Sequence, residues 1–166
     1  MLKKVLIYSL FSISVLSIHA QNTAEEYIKT YNQRIKMERI NDVYIPRDLY
    51  DAMKELDRLT EVKVAAKLKS SPEDTIASKL HFSLGRWMLL NWGLEEGSRL
   101  SYYLKSKGLS FPDDMMDLLI RCWYRHIKKL PMEENKLIQK YIIKRKEGYL
   151  KSLRSIETIH IDKKLR

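Results

Sequence analysis

Apolar side chains recur along most of the chain at intervals of three and four residues, which is the spacing of one helix face rather than of a strand. The pattern predicts about six helices with short connections and no strand ladder. We therefore expect an all-α fold, a single orthogonally packed helical domain. No internal repeat or low-complexity tract interrupts it, and the five glycines and four prolines fall where helices should start or stop.

In the first half of the chain, capping residues and prolines indicate where helices begin. Thr23 and Glu26 form a capping-box pattern that predicts a helix to about Arg39. Residues 43–45 should be extended because they precede Pro46, which is expected to open a second helix. A shorter helix is predicted over Val62 to Leu68. The apolar stripe of the second helix is Leu49, Ala52, Met53, Leu56 and Leu59.

Four more start signals organise the second half. Ser71-Pro72 predicts a helix that extends to Asn91, and Ser98 predicts a short helix that ends at Gly108. Pro112 predicts a third helix, and the break at Pro131 predicts a final helix from Met132 toward Ile159. These helices carry mostly apolar stripes: Ile76, Leu80, Leu84, Trp87 and Met88; Leu100, Tyr103 and Leu104; Met115, Leu118, Leu119, Cys122, Trp123, His126 and Ile127; and Leu137, Ile138, Tyr141, Ile142, Tyr149, Leu153 and Ile156. The stripe of the helix that Pro112 opens is expected to face inward.

The first 20 residues have the layout of a secretory signal peptide. Lys3 and Lys4 precede an apolar run from Val5 to Ile18, and Ala20 provides a small residue at the expected cut before Gln21. We therefore expect an exported protein that works in the periplasm or outside the cell. The predicted organisation is a signal peptide over 1–20, an N-terminal helix over 21–43, a helical core over 44–130 and a basic C-terminal helix over 131–166.

Charge and cysteine usage limit the classes of function. Cys122 is the only cysteine, so no internal disulfide is available, and a buried place in a helix is expected for it. From Arg121 to the end there are 14 basic and 5 acidic residues. In an exported chain this asymmetry favours an anionic membrane surface or an acidic protein over nucleic acid. We expect weak, salt-sensitive contact between the C-terminal helix and an anionic membrane surface.

Several short motifs occur in a fixed order between Tyr44 and Ile127. They are Ile45-Pro46-Arg47-Asp48-Leu49, His81-Phe82-Ser83-Leu84-Gly85-Arg86-Trp87, Asn91-Trp92-Gly93-Leu94, Gly97-Ser98-Arg99-Leu100, Pro112-Asp113-Asp114-Met115 and Trp123-Tyr124-Arg125-His126. Together they resemble an uncharacterised family of mostly exported bacterial α-helical proteins, a domain of unknown function. The resemblance implies a helical exported domain and transfers no chemistry. Leu90 and Glu95 depart from the family pattern. Some similar small domains look like immunity proteins of toxin systems.

Candidate binding residues cluster around the glycine-bounded connection and the helix that Pro112 opens. Trp92 and Arg99 belong to the residue types enriched at binding hot spots, although Trp92 equally fits a core position. Asp113 and Asp114 fit either acid–base chemistry or simple stabilisation of a helix start, where a pair with Arg99 would act as a clamp. Tyr124 and His126 complete the set. No metal-ligand spacing, nucleophile motif or cofactor fingerprint occurs, so neither a metal nor a cofactor is expected.

Two functions from different classes follow. The first is an exported, non-enzymatic helical binding module with a protein partner. The alternative is a small periplasmic hydrolase that uses His81 or His126 with Asp113 or Asp114. Geometry separates them, because the hydrolase requires a histidine and an acid within hydrogen-bond reach in one pocket.

Overall fold

A computed structural model describes the backbone of residues 24–164 and the side chains of residues 24–156. The predicted signal peptide and its cleavage site lie outside the described residues. Helix α1 covers residues 24–34 and is followed by a two-stranded hairpin. The remaining elements are β1 Arg39–Ile40, β2 Val43–Tyr44, α2 Leu49–Leu59, α3 Val62–Leu68, α4 Glu73–Leu80, a π-helical turn His81–Gly85, α5 Arg86–Asn91, α6 Arg99–Ser106, α7 Pro112–Ile127 and α8 Glu134–Lys164.

The described chain is mostly helical, as predicted, but a short hairpin replaces the end of the first predicted helix. That helix ends at residue 34 rather than at Arg39. Arg39 and Ile40 pair antiparallel with Tyr44 and Val43. Between the strands, Asn41 and Asp42 both have positive φ, 49° and 62°. Two such residues form the type I′ turn that suits a tight hairpin, so an Asn-Asp pair between short apolar stretches was the signal for it.

Helix α2 begins three residues later than predicted, because Asp48 and not Pro46 sets its start. The Asp48 carboxylate accepts a hydrogen bond from the backbone N–H of Asp51 at 2.8 Å, which satisfies a donor of the first turn. Of the predicted stripe, Leu49, Ala52, Met53 and Leu56 are buried, whereas Leu59 is 45% exposed. The prediction for Leu59 was therefore wrong.

The helix predicted from Pro72 to Asn91 contains a π-helical turn in its middle. Pro72 occupies the cap position, and α4 begins at Glu73. The π turn at His81–Gly85 adds one residue to a turn and shifts the phase of the helix that follows. Met88 is buried, while Trp87 is only partly buried against the core. The single 3.6-residue period assumed in the prediction does not hold across this turn.

Helix α7 forms the centre of the core. It packs against α2, α4, the π turn, α5 and α8. Cys122 on α7 is buried, as predicted. No helix in the described residues is long and apolar enough to cross a membrane. The largest side chains that are fully enclosed include Trp92, Trp123, Ile45, Leu49, Met53, Leu56, Met88, Leu94, Leu100, Leu104, Leu109 and Met115.

Helix α8 packs on the domain only with its first part. Leu137, Ile138 and Tyr141 are buried, but every residue from 146 to 156 is exposed. Tyr149, Leu153 and Ile156, which the sequence pattern places on the same apolar stripe, are exposed. Their spacing is helical, but they lie beyond the part of α8 that packs on the domain.

Candidate functional site

Trp92 lies in the core rather than on the surface. It is fully buried, and its ring meets that of Trp87 edge to face at 5.7 Å between centroids. Its indole Nε1 has no hydrogen-bond partner among the described residues. In this conformation Trp92 supports the connection after α5 from within and is not exposed to a partner.

Arg99 joins the start of α6 to the segment before α2. Its Nε donates to the carbonyl oxygen of Ile45 at 2.6 Å, and its guanidinium lies 5.0 Å from the centroid of the Tyr44 ring. The hydroxyl of Tyr44 in turn donates to the carboxylate of Asp51 at 2.7 Å. Arg99 therefore acts as a tertiary clamp, with one nitrogen, Nη2, buried without a partner among the described residues.

The two acids at the start of α7 have different surroundings, and neither forms a hydrogen bond with Arg99 in the described part of the chain. Asp113 is exposed. Asp114 is buried and accepts two hydrogen bonds from Arg145 of α8, at 2.7 and 2.9 Å. Burial and this pairing make Asp114 a structural residue that fastens α8 to α7.

Tyr124 also serves the scaffold. Its side chain is buried, and its hydroxyl donates to the carbonyl oxygen of Ser71 at 2.7 Å. Lys128 lies over its ring and contacts its oxygen at 3.2 Å. Tyr124 thus fixes Ser71, two residues before α4, to the last turns of α7.

His126 shares a carboxylate with a buried tryptophan at the edge of a groove. Its Nε2 lies 2.9 Å from Oδ2 of Asp57, whose Oδ1 accepts a hydrogen bond from Nε1 of Trp123 at 3.0 Å. The groove beside them has a volume of about 480 Å³. The residues that line it are Asp57, Thr60, Val62, Ala65, Ala66, Lys69, His126, Ile127 and Lys129.

The structure does not assemble the catalytic group that the hydrolase alternative named. His126 has Asp57 as its partner, and His81 packs edge to face on the Phe82 ring at 5.0 Å. No hydrogen bond in the described part of the chain joins either histidine to Asp113 or Asp114. The pairing with Asp57, 69 residues away, had no signal in the sequence.

An ion-pair network across α4 and α7 was also not predicted. Arg121 reaches the carboxylates of Glu73, Asp74 and Asp117, and Arg125 reaches Glu73 again at 2.8 Å. The hydrogen bond from Arg121 holds the pKa of Asp74 below its usual value. This network fixes the N-terminal end of α4 on α7.

Metal and thiol chemistry find little support in the described residues. No group of three or more His, Cys, Asp or Glu side chains there is placed to hold a metal ion. Burial raises the pKa of the Cys122 thiol to about 12, so this sulfur is protonated at neutral pH.

The surface feature that the sequence did not reveal lies on the π turn and α5. Phe82 is 82% exposed and Leu90 is 64% exposed, with the exposed Arg86 midway between them. We call these three residues the Phe82 stripe. Opposite it, Gly85 is buried against α7, where a Cβ would be in ordinary van der Waals contact with the sulfur of Met116 at 3.4 Å.

The fold and these contacts define a small helical module with one long, partly free terminal helix. A family model described as a domain of unknown function, DUF6794, matches residues 45–127. The match covers half of the chain, and the chain belongs to this family. The expected resemblance to a family of unknown function over this region is thus confirmed. No curated protein and no solved structure gives a significant match.

Proposed function

We propose that the chain is an exported, non-enzymatic interaction module that binds an acidic protein through the Phe82 stripe. The observation that carries this proposal is the exposure of two large apolar side chains on either side of an arginine. Scattered exposed apolar residues are ordinary, but a cluster with polar surroundings is typical of interaction sites. Aromatic residues and arginine are also enriched at binding hot spots.

Charge indicates the chemistry of the partner. Lys79 and Arg86 are exposed, and the segment between Lys79 and Leu90 contains no acidic residue. A partner with an acidic rim around an apolar contact would complement it. The π turn packs on α7, so the stripe lies on an ordered element and little ordering is needed on binding.

Export is the second part of the proposal and rests on the sequence of residues 1–20. The expected mature protein begins at Gln21 and is found in the periplasm or medium of its bacterial host. Cell fractionation followed by N-terminal mass spectrometry tests this. Intact Met1 in the cytoplasmic fraction would contradict it.

The interaction is tested by photo-crosslinking in the native host. A photoreactive amino acid is placed at position 82 or 90 and, as matched controls, at Tyr50 on α2 and Tyr102 on α6, which are 57% and 54% exposed. We expect one discrete protein adduct at 82 and 90 and none at the controls. Equal adducts at all four positions would contradict the proposal.

Binding measurements on the purified, captured protein then decide whether the stripe is the contact surface. Phe82→Ala should weaken binding at least about tenfold, as expected of a hot-spot residue. Arg86→Glu should weaken it and remove most of its salt dependence, whereas Arg86→Lys should have a smaller effect. All these residues are exposed, so the thermal stability of the variants should stay near that of the wild type. Unchanged affinity in Phe82→Ala and Arg86→Glu would refute the proposed surface.

The hydrolase remains the second candidate, favoured by the hydrogen bond between His126 and Asp57 beside the groove. In that case Asp57 orients His126, in the role first assigned to Asp113 or Asp114. The attacking nucleophile would have to be a water molecule. Turnover of an ester, amide or phosphoester panel that His126→Gln abolishes would favour the enzyme over the binding module.

A further inference from the structure

Helix α8 projects beyond the domain after a well-defined last attachment. The side chain of Ile142 packs over Gly108, where a Cβ would lie 2.9 Å from its terminal carbon. Three residues later, Arg145 is bound by Asp114 and lies 4.1 Å from the centroid of the Phe111 ring. At Gly148 a Cβ would meet nothing within 4 Å. We call residues 146–156, all exposed, the distal segment of α8.

The distal segment carries an uncovered apolar face. Tyr149, Leu153 and Ile156 follow at helical spacing, and Tyr149 is seven residues after Ile142, so the face continues the one that packs on the domain. Their exposed fractions are 64%, 39% and 52%, and the neighbouring Leu150 is 40% exposed. The face thus comprises one aromatic and three aliphatic side chains without cover.

Basic side chains occupy the opposite face and the flanks. At 100° per residue, Lys144, Lys151 and Arg154 project away from the apolar face, while Lys146 lies at its edge. Between residues 144 and 156 there are five basic residues and one acidic residue. Such a helix repels a second copy of itself, since both copies carry the same positive charge. It attracts an extended anionic surface.

We propose that the distal segment of α8 lies flat on anionic phospholipid bilayers, with Tyr149, Leu153 and Ile156 in the interfacial layer. A helix with an apolar face and a Lys/Arg-rich polar face binds in this way. Tyrosine suits the boundary between headgroups and acyl chains, and the long lysine stems let the ammonium groups reach the phosphates. An acidic protein groove offers the same negative charge. A fluid bilayer surface, however, can adapt to a helix that is exposed over three turns, so the bilayer is the better fit.

This inference is independent of the proposed protein contact, because the Phe82 stripe lies on α5 and the π turn and the distal segment lies outside the family-matched region. Its test is cosedimentation of the full mature chain with vesicles. One set contains phosphatidylglycerol mixed with phosphatidylcholine, and the other contains phosphatidylcholine alone. We expect binding to the first set at low salt, a strong decrease at high salt, and little binding to the second.

Two variants and a matched control assign the binding to the distal segment. Lys146→Gln/Lys151→Gln should reduce binding at least about tenfold because the counter-charge is lost. Leu153→Ser/Ile156→Ser should reduce it similarly while leaving the thermal unfolding unchanged, since both side chains are exposed. The control removes the same charge from α3, which also carries exposed lysines. It is Lys63→Gln/Lys67→Gln and should bind as the wild type does.

An environment-sensitive fluorophore gives the orientation of the helix. The buried Cys122 is protected, so a new cysteine at position 153 or 151 is labelled selectively. On anionic vesicles the label at 153 should gain intensity and be quenched by lipid-borne quenchers, and the label at 151 should not. Equal signals from both positions would overturn the proposed orientation. Absence of vesicle binding at low salt would overturn the lipid proposal. It would be replaced by a protein contact if an acidic protein then bound in a way that requires Leu153 and Ile156.

Discussion

Asp114 and Arg145 are joined by two parallel hydrogen bonds, 2.7 Å from Nε and 2.9 Å from Nη2, across 31 residues of sequence. The carboxylate belongs to the first turn of α7 and the guanidinium to the last turn of α8 that contacts the domain. The Asp114 side chain is only 10% exposed, whereas that of Arg145 is 39% exposed. The hydrogen bonds that Arg145 donates to the Asp114 carboxylate raise the pKa of Arg145 above its usual value. This pair marks the boundary between the packed and the projecting parts of α8.

We predict that Arg145→Gln destabilises the protein by about 1–3 kcal/mol. The substitution leaves the buried Asp114 carboxylate without its charged partner, and the partial exposure of Arg145 keeps the loss below that of a fully buried pair. Arg145→Lys should recover only part of it, because an ammonium group does not make the two-pronged contact. Urea unfolding measures the effect, with the exposed Lys146→Gln as a neutral control. A variant as stable as Lys146→Gln would contradict the role given to this pair.

Trp92 should contribute more to stability than Trp87. The sequence places Trp87 on an apolar stripe, but Trp92 is fully enclosed and Trp87 is partly buried. We expect Trp92→Ala to cost about 3–5 kcal/mol and Trp87→Ala clearly less. Thermal unfolding followed by far-UV circular dichroism compares the two variants. The reverse order would show that the π turn phases α5 differently.

The Cys122 thiol should be inert in the folded protein and should weaken the fold in alkali. Burial raises its pKa from 9.0 to about 12, so at a given pH there is about a thousandfold less thiolate than in the unfolded chain. The stability that the neutral thiol contributes is complete below pH 9 and is lost as pH rises toward 12, because the unfolded chain releases the proton first. Thiol titration in native and unfolded samples measures the reactivity. Cys122→Ala should show a smaller alkaline loss, and rapid native labelling would contradict burial.

Local signals predicted the helices of the second half well. The hydroxyl of Ser98 accepts from the backbone N–H of Ser101 in a capping box, and Pro112 begins α7, as expected from the sequence. Each of these signals acts within one turn, so sequence reasoning finds it. The hairpin was missed because residues 43–45 were interpreted only as an extended segment before Pro46, and the turn at Asn41-Asp42 that pairs them with Arg39 and Ile40 was not considered.

The candidate site was far less predictable, because its contacts join distant positions. Asp57 and His126 are 69 residues apart, and nothing in either local pattern selects the other. Periodicity likewise identified the apolar face of α8 but not where the domain beneath it ends. Whether Tyr149 is covered depends on the reach of α7 and its preceding loop, which is a property of the assembled fold.

The Arg121 network predicts a pH-dependent loss of stability. The Arg121 side chain is 17% exposed and binds Glu73, Asp74 and Asp117, so Arg121→Gln should cost about 1.5–3 kcal/mol at neutral pH. Asp74 has a lowered pKa, so its contribution to the free energy of unfolding is present above the usual carboxyl pKa of 3.8 and is lost as pH falls through the lowered pKa. The difference in the free energy of unfolding between wild type and Arg121→Gln should therefore become smaller in acid. Unfolding at neutral and acidic pH measures it, and a constant gap would contradict the ion pairs.

Gly97 should not tolerate a side chain, because its positive φ favours glycine and the ring of Tyr31 occupies the place of a Cβ. Its φ is +103°, and a Cβ would lie 2.5 Å from Cδ2 of Tyr31 on α1. We expect Gly97→Ala to destabilise by about 1–3 kcal/mol. Adding Tyr31→Ala should relieve the overlap but not the backbone strain, so the double variant should lose less stability than the sum of the losses of the two single variants.

In the exposed part of α8, Gly148→Ala meets no atom within 4 Å and should instead stabilise its helix by up to about 1 kcal/mol. Calorimetric unfolding of the four variants separates these effects, and strict additivity would show that Tyr31 does not pack on Gly97.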